Sequence, residues 1–517
     1  MAAIVTDQFR ILNAGNFVDS VTDTSNSYYV FVGLSKPTEV GYGKTTDWDT
    51  NTPSPTDSID YQNFVGDNIS FGKKVTSSNV KRLVRRIDWV SGRKYEMYRH
   101  DYRLVYNETP ITNSPRLYDA NYYVINSEFK VYVCIDNGSS GINTTGNDSL
   151  DEPTFTDLEP SKAGSSGDGY LWKYLFTVSP SDIIKFDSTE YITLPNDWST
   201  STNAQIAAVR DAGNSDVNEN QIKKVYIEKQ GLGYTQGTHQ LNILGDGSGA
   251  SVIVDVDVNG RITNAIVSSG GKGYTYGMVD LGSINATSSV KANLIPIIPP
   301  SKGHGYDLYK ELGADKVLVY ARFDDSTRDF PTDVNFAQIG ILKNPTQPTS
   351  DNIFTENQFS GLGAIKFLGT PTGTVAIGDR IKQTVTGGTA QAFVASYDEE
   401  TKVLKYFQDR NAFLNQTSFD TTDYVGVTTN ANLYEFDKDG GAVTTSGGFS
   451  GTIDKDFTGI STNPTGTKLI PFGTQITNGL ASPEINKQSG DIIYIDNRPV
   501  IARNSRQKED VKIILEF

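Results

Sequence analysis

The chain has 517 residues, a formal net charge of −15, one cysteine and three histidines, and its length allows about three domains and a sizeable core. One cysteine excludes an intramolecular disulfide, the few Cys and His residues argue against a four-ligand zinc site, and the negative charge opposes nucleic acid as a partner. No apolar run approaches the roughly 20 residues that cross a bilayer and the start lacks signal-peptide features, so we expect a soluble protein that stays where it is made.

The composition favours strands over helices. The sequence has 27 tyrosines, 24 phenylalanines and 48 glycines but only 3 methionines. Aromatic and β-branched residues suit a pleated surface, and glycine, asparagine and aspartate suit the turns between strands. We therefore predict an all-β fold, with a β-sandwich core, inserted small β modules and few short helices.

The first strong feature in chain order is a basic segment, residues 81–94. Lysine and arginine recur four residues apart, so a short helix over residues 79–86 would gather them on one side. Such a cluster is typical of a solvated face, and alternatively of a docking surface for an acidic partner, because arginine and tryptophan are enriched in interface hot spots. The second interpretation gives these candidate interface residues: Arg82, Arg85, Arg86, Trp89 and Arg93.

Two strands are predicted next along the chain, on either side of a polar loop. Residues 129–136 and residues 170–178 both alternate in hydrophobicity with period two, which is typical of strands. The polar residues between them, 136–168, form a loop longer than compact domains usually contain. In a protein that acts by assembly, we expect such a loop to fold onto a neighbouring subunit.

Short helices and a terminal strand pair complete the local pattern. Residues 203–210 precede Gly213 and residues 307–312 precede Gly313, and glycine commonly ends a helix. At the C-terminus, alternate residues from Val511 to Phe517 form one apolar face of a strand. Its predicted neighbour is the segment 491–496, with residues 497–499 (Asn-Arg-Pro) breaking the pair.

An internal repeat marks the first of two predicted insertions. Residues 221–234 align with residues 261–274, each ends in Gly-x-Gly-Tyr, and a third such motif occupies residues 303–306. Alternating valines lead from Val252 into Asn259-Gly260, a dipeptide that favours a type I′ turn, so we predict a hairpin there.

The second predicted insertion covers residues 355–485. It contains a hairpin-like pair, residues 392–397 with residues 403–407, followed by a stretch rich in glycine, serine and threonine. Both insertions are therefore predicted to be small β modules carried by the core.

Two motifs resemble ligand-binding loops without meeting their requirements. Gly43-Lys44-Thr45 resembles the end of a phosphate-binding loop, but the required earlier glycine is Thr38 and no helix pattern follows. Asp255 and Asp257 match the first half of a calcium loop, but the position of its bidentate glutamate is Ile266. We expect neither a nucleotide nor a metal at these places, and a hairpin at the second.

Candidate nucleophiles and bases are equally unsupported. His304 stands between two glycines, where the repeat places Leu232 and Lys272, and a position that accepts all three side chains is expected to be a turn with its side chain outward. Cys134 lies in a predicted strand without an activating neighbour in the sequence. No Gly-x-Ser-x-Gly elbow occurs either, so the sequence predicts no enzyme, no catalytic residue, no metal and no cofactor.

Six segments, which cover about half of the chain, resemble a known family when taken in order: residues 4–10, 85–95, 167–176, 190–195, 336–345 and 489–517. On these segments the chain resembles the mid-sized baseplate wedge protein of T-even-like contractile-tailed bacteriophages (myophages), and its greater length resembles the enlarged marine, cyanobacterial type. The resemblance implies an opening strand in the first segment, residues 4–10.

The resemblance implies a role and a domain organisation. It implies a β-sandwich core that comprises residues 1–221, 303–354 and 486–517, and it places the β inserts at residues 222–302 and 355–485. The family acts through a homodimer and through other wedge proteins in baseplate assembly and tail contraction. We therefore expect a virion protein, made in the host cytoplasm, that has no nucleic acid, membrane or small-molecule substrate as a partner.

One alternative remains open at this stage. The chain could be a tail-associated protein that binds glycans on the host surface, with residues 222–302 as the reader. Exposed Tyr234, Tyr274 and Tyr306 would then stack on sugar rings, although tyrosines that follow Gly-x-Gly more often pack inside turns.

Overall fold

The computed structural model describes residues 6–37, 47–102, 112, 116–212, 220–324, 334–408, 434–459, 475–502 and 507–517. The protein is mostly strand, arranged in several antiparallel sheets, and is 13% helical. The predicted all-β class is confirmed, while the β-sandwich arrangement stays a prediction.

Helices are few and strands are many among the described residues. The helices are α1 (Asp7–Thr22), α2 (Ile59–Asn68), α3 (Pro180–Phe186), α4 (Ala204–Ala212) and α5 (Leu308–Leu312). The first strands are β1 (Tyr28–Gly33), β2 (Ile69–Val75), β3 (Val80–Arg85), β4 (Tyr123–Ile125), β5 (Lys130–Asn137), β6 (Tyr170–Thr177), β7 (Tyr191–Thr193), β8 (Val225–Lys229), β9 (Gly237–Gly245), β10 (Ser248–Val256), β11 (Ile262–Lys272), β12 (Gly277–Val279) and β13 (Asn293–Pro296). The later strands are β14 (Lys316–Asp324), β15 (Phe336–Lys343), β16 (Gln358–Ser360), β17 (Gly363–Lys366), β18 (Arg380–Val385), β19 (Gly388–Asp398), β20 (Val403–Phe407), β21 (Val443–Thr445), β22 (Ser450–Gly451), β23 (Leu480–Ala481), β24 (Asp491–Ile501) and β25 (Lys508–Glu516).

The chain forms two compact units. Unit 1 comprises Met1–Val18, Lys81–Leu318 and Ile514–Phe517, and unit 2 comprises Asp19–Val80 and Val319–Ile513. Each unit therefore combines segments that are far apart in the sequence. The predicted division into a core and two inserts uses other boundaries and stays a prediction.

The main core of unit 1 lies around the three-stranded sheet β4-β5-β6. Strands β5 and β6 pair in antiparallel fashion, as their alternating sequences predict. Trp172 of β6 is fully buried, its ring stacks on Tyr170 with centroids 5.3 Å apart, and Tyr95 meets it edge-on at 5.7 Å. Aromatic rings of this size bury a large apolar area and add favourable ring–ring contacts, so we expect them to contribute strongly to the stability of this core.

A second core in unit 1 comes from the repeat-containing segment. Strands β9 to β12 form a sheet in the order β11-β10-β9-β12, and β8 pairs with β13. Alternate residues of β10, including Val252 and Val254, are fully buried in this core. The predicted hairpin is confirmed, because β10 pairs with β11 in antiparallel register.

The turn of that hairpin differs from the predicted type. The amide of Gly260 donates to the Asp257 carbonyl (3.0 Å), and Gly260 has φ +70° whereas Asn259 is not in the left-handed region. A type I′ turn needs positive φ at both central residues. The Asp257 carboxylate accepts from the amides of Asn259 and Arg261 (both 2.8 Å), which stabilises the longer turn instead.

The three Gly-x-Gly-Tyr motifs share one backbone geometry. All six of their glycines have φ between +60° and +89°. L-residues with a side chain rarely adopt this region, so glycine is required at each position. The sequence repeat therefore reflects a repeated turn.

The two sheets of unit 2 have the orders β16-β2-β1-β15-β24 and β22-β21-β18-β19-β20-β17-β23. In the first, β15 lies between β1 and β24, so residues from the beginning, middle and end of the chain share one sheet. In the second, β19 pairs with β20, which confirms the predicted pair at residues 392–397 and 403–407.

The predicted opening strand is wrong. Residues 4 and 5 lie outside the described residues, and from Asp7 onward the chain is helix α1. The buried positions Ile11, Ala14, Val18 and Val21 recur at helical spacing, so they lie on one face of α1. In a strand, where successive side chains point to opposite sides, the same residues would lie on both faces.

The predicted pairing of the C-terminal strand is also wrong. Strand β25 has its expected apolar face, with Val511 and Ile513 buried, but its neighbour is β14. Strand β24 pairs with β15 instead and continues through Pro499 to Ile501. Proline is tolerated there because β24 is an edge strand, where a missing N–H removes no ladder bond.

Both helices predicted near glycines are confirmed. In α4 the Asn203 side chain caps the first turn by accepting from the amides of Gln205 and Ile206 (3.0 and 3.3 Å). In α5 Asp307 is the N-cap and Gly313, with φ +72°, ends the helix. Gly213, the predicted stop of α4, lies outside the described residues.

The polar loop between β5 and β6 is held by its own hydrogen bonds. Asn147 Nδ2 donates to the Asp168 carbonyl (2.8 Å), and the Asp168 carboxylate accepts from the amide of Leu150 (2.9 Å). Its expected contact with a neighbouring subunit stays a prediction.

None of the helices in the described ranges has the length and apolarity to cross a membrane.

Asp246 offers a pH-dependent test of the repeat-containing segment. Its carboxylate accepts from the hydroxyl and amide of Thr275 and from the amide of Tyr276 (3.2 Å), and these bonds lower its pKa from 3.8 to about 2. A carboxyl whose pKa is depressed on folding stabilises the fold above its unfolded pKa, and this stabilisation is lost as the pH falls through the folded value.

We expect Asp246→Ala to lower the thermal midpoint of the chain at pH 7, with a difference from the parent that shrinks from about pH 4 towards pH 2. Circular dichroism melts across this range measure it. A difference that is the same at every pH would show that the ionised carboxylate does not contribute.

Candidate assembly interface

The basic segment, residues 81–94, begins in a strand. The predicted helix over residues 79–86 is wrong, because β3 occupies Val80–Arg85 and pairs with β7 through Leu83↔Thr193 and Val84↔Ile192. Buried β-branched and aliphatic residues favour this strand. The arginines therefore leave the backbone in alternating directions and are not gathered on one face.

Arg82 is an internal residue of unit 1. It is 9% exposed, and its guanidinium carbon lies 3.8 Å from the centroid of the Tyr309 ring. This is the geometry of a cation–π contact. The side chain stabilises the packing of β3 against α5 and has little surface to offer a partner.

Arg85 and Arg86 are held by intramolecular acceptors. Arg85 Nη2 donates to the carbonyls of Asp119 and Ala120 (both 2.9 Å) and to Asn121 Oδ1 (3.0 Å). Arg86 pairs with two carboxylates, those of Asp88 and Asp187, at 2.9 and 3.2 Å. The charge of Arg86 is compensated within unit 1, whereas Arg85 is exposed and has neutral acceptors.

Both arginines also line an open cleft of about 370 Å³ in unit 1. Both cationic and acidic residues line it. The charged lining residues are Arg85, Arg86, Arg116, Lys316, Asp119, Glu190 and Asp315. The cleft is thus close to charge balance, although the segment that contributes to it is strongly basic in sequence.

The end of the segment forms an exposed turn. We call residues 89–93 together with Ser149 and Leu150 the Val90 surface. The amide of Gly92 donates to the Ser149 carbonyl (2.7 Å), and Trp89 Nε1 donates to Ser149 Oγ (3.0 Å). These bonds fix Val90 and Leu150, which are 51% and 49% exposed.

Arg93 lies at the edge of the Val90 surface. It is exposed, and its guanidinium carbon lies 5.9 Å from the Tyr95 ring centroid. Of the five predicted interface residues, Arg93 and half-buried Trp89 are therefore the two on an accessible apolar surface. Whether any of the five contacts a partner stays a prediction.

His304 is not the outward turn residue that the repeat predicts. Its side chain is 9% exposed, and its Nδ1 lies 2.6 Å from Oε1 of Glu311, whose carboxylate is fully buried. Glu311 Oε2 also accepts from the amide of Gly305 (2.6 Å). A buried carboxylate needs hydrogen-bond partners, and His304 points inward because it supplies one to Glu311. Leu232 and Lys272, at the equivalent positions of the repeat, do not have this role.

The sequence contained an overlooked signal for this pair. Glu311 stands among Leu308, Tyr309 and Leu312, which are all buried with it in α5. A charged residue on the apolar face of a short helix indicates a buried polar partner. His304, seven residues earlier, is the nearest histidine along the chain.

The glycan-binding alternative loses its proposed platform. Tyr234 and Tyr274 are 6% and 1% exposed, and their hydroxyls bond to backbone groups, among them the amide of Ala292 (2.9 Å) and the carbonyl of Ile243 (3.0 Å). Tyr306 is half-buried and accepts from Lys302 Nζ (3.0 Å). Two of the three rings cannot stack on a sugar.

The remaining sequence motifs provide no ligand site among the described residues. Gly43-Lys44-Thr45 lies outside the described residues. Cys134 is fully buried in β5, and burial raises the pKa of its thiol well above the usual value. No group of three or more His, Cys, Asp or Glu side chains suited to a metal occurs among the residues that the structure places.

The structure thus defines a two-unit, multi-sheet β protein in which Arg82, Arg85 and Arg86 of the basic segment make intramolecular contacts. No family model matches the chain. The chain is similar to the baseplate wedge protein gp8 of Enterobacteria phage T4, with 27% identity over 219 residues. The match covers 37% of this chain and 60% of that protein, which is less than two thirds of its length.

Proposed function

We propose that this chain is a structural subunit of a phage tail baseplate wedge. The observation that carries the proposal is the similarity to the T4 baseplate wedge protein. The all-β architecture agrees with a structural role in an assembly. In this role the chain catalyses no reaction and carries no cofactor.

The finer part of the proposal concerns partners. The chain assembles with itself as a homodimer and with other wedge proteins in the tail of a myophage virion, after synthesis in the host cytoplasm. The β core holds these partners during assembly and tail contraction. The Val90 surface is the part of the basic segment that supports this role, since it presents apolar area beside an exposed arginine.

The function is tested by co-expressing the chain with the wedge proteins of its own phage. We expect co-purification of a stoichiometric complex, a dimer in analytical ultracentrifugation, and the chain in purified baseplates by mass spectrometry. A chain that stays monomeric, captures no wedge protein and is absent from baseplates is not a wedge subunit.

The Val90 surface makes a more specific prediction. Val90→Glu places a charge in the apolar centre of this surface, so we expect the affinity for the wedge partner to fall at least about tenfold, or about 1.4 kcal/mol. Val258→Glu is the matched control, since Val258 is 79% exposed at the tip of the β10–β11 hairpin.

Both variants should fold like the parent, because each changes an exposed turn residue. Pull-down titrations with the purified partner measure the affinity. Equal affinities for the two variants would show that the Val90 surface is not part of the interface. The proposed wedge function would still stand, because it rests on the sequence similarity.

A further inference from the structure

A small, half-open cavity of mixed polar and apolar lining in unit 1 lies beside the buried His304–Glu311 pair. Its volume is about 40 Å³, which is room for about three water molecules or one small oxyanion. Its polar lining residues are Lys173, Lys223, His304, Glu159 and Gln221, and the others are leucine, alanine, proline and glycine. The cavity therefore has three nitrogen-bearing side chains that can carry positive charge.

Lys173 is the central feature of this cavity. It is 4% exposed, its ammonium donates to the carbonyl oxygen of Leu158, and no carboxylate of the described residues lies within ion-pair distance of it. Burial lowers its pKa, while the charges of Glu159 and Glu311 act at longer range in the opposite direction. A buried ammonium without a paired anion is costly, and it keeps N–H donors for a ligand.

Two further nitrogen-bearing side chains, those of Lys223 and His304, belong to residues that line the same cavity. Lys223 Nζ pairs with Glu159 Oε2 (2.6 Å) and also bonds to Gln221, and this pair is more exposed than Lys173. His304 directs Nδ1 to Glu311, which leaves Nε2 as the nitrogen that can meet a ligand. The ring position is fixed by edge-on contact with Tyr98, whose centroid lies 4.8 Å away.

We propose that this cavity binds a small oxyanion of the phosphate or sulfate class, with Lys173 as the main charged donor and His304 and Lys223 beside it. An oxyanion supplies the counter-charge that Lys173 lacks, and its several oxygens can accept from more than one of the donor residues that line the cavity. The proposal does not depend on the proposed wedge function. A bound oxyanion would contact three separate segments of the chain, namely residues 158–173, residues 221–223 and His304.

The test uses the full chain in buffers free of phosphate and sulfate. Calorimetric titration with inorganic phosphate and with sulfate is compared with chloride at matched ionic strength. We expect saturable binding of the two oxyanions, and a rise in the thermal midpoint that chloride does not produce. Absence of saturable binding by either oxyanion overturns the proposal.

Four variants locate the site. Lys173→Met should weaken oxyanion binding at least about tenfold, whereas Lys366→Met should leave it unchanged. Lys366 is the matched control, because it is also buried (6% exposed) with an ammonium that donates to a backbone carbonyl, that of Phe367. Equal losses in the two lysine variants would show that the anion acts elsewhere.

The other two variants keep the test decisive if Lys173→Met does not fold. His304→Gln should weaken binding several-fold in a folded chain. Glu159→Gln removes a competing carboxylate from Lys223, so it should tighten binding several-fold, a gain that misfolding cannot imitate. If both variants bind phosphate as the parent does, the cavity holds only water and the proposal is wrong.

Discussion

Trp172→Ala should lower the free energy of unfolding of unit 1 by about 3–5 kcal/mol, the usual range for removing a large buried ring. Trp172 has no exposed surface, stacks on Tyr170 and meets Tyr95 edge-on. Its removal leaves a cavity between rings that are themselves fixed by hydrogen bonds, such as that from the Tyr95 amide to the Tyr170 hydroxyl (2.9 Å). Those rings cannot collapse into the space.

Trp172→Phe is the informative comparison. The indole Nε1 is buried without a hydrogen-bond partner among the described residues, and an unsatisfied buried donor costs about 1–3 kcal/mol. Phenylalanine removes that donor and keeps an aromatic ring, so we expect a loss of less than about 2 kcal/mol. Urea unfolding combined with hydrogen exchange of the β5 and β6 amides measures both variants in unit 1. Equal losses for the two variants would mean that ring packing does not dominate this core.

Gly340→Ala should destabilise unit 2 by about 3 kcal/mol, at the upper end of the range for overpacking. Gly340 lies in β15, opposite Phe31 of β1 and Ile495 of β24. A Cβ atom there would overlap Phe31 Cζ and lie 2.5 Å from the Tyr494 carbonyl oxygen. The second contact is with the backbone of a paired strand, which cannot move without breaking its ladder.

Gly441→Ala is the matched control in the same unit. The nearest atom to a Cβ at Gly441 is the Thr384 carbonyl oxygen at 3.7 Å, an ordinary contact. Its backbone is not in the left-handed region, so alanine should be neutral or stabilise by up to about 1 kcal/mol. Urea unfolding of both variants, followed by exchange of the β1 and β15 amides, gives the comparison. Similar stabilities would show that the sheet that joins β1, β15 and β24 is loosely packed.

The sequence predicted those elements that local chemistry decides. The β10–β11 hairpin follows from alternating valines and a glycine turn, and α4 and α5 follow from their capping residues. Strands β5 and β6 follow from alternation in an aromatic-rich stretch. Helix α3 was missed although Ser179 and Pro180 form a recognisable start, with the Ser179 side chain accepting from the amide of Asp182.

The candidate interface was predicted less well than the fold. Composition marked the basic segment, and the exposed turn with Trp89 and Arg93 lies within it. The sequence could not show that Arg82 stacks on Tyr309 or that Arg86 pairs with Asp187, because those partners are about a hundred or more residues away. Exposure depends on such partners, so it was decided by the tertiary structure.

By itself, the sequence determined that the protein is mostly strand, where its turns lie and which repeated positions require glycine, since these depend on properties of each residue and its near neighbours. Only the tertiary structure decided that α1 is a helix, that β24 pairs with β15 rather than with β25, and that His304 faces Glu311. These outcomes depend on which distant segment covers an apolar face or provides a hydrogen-bond partner. A short amphipathic segment can pack against several alternative segments, and the choice is made only when the whole chain folds.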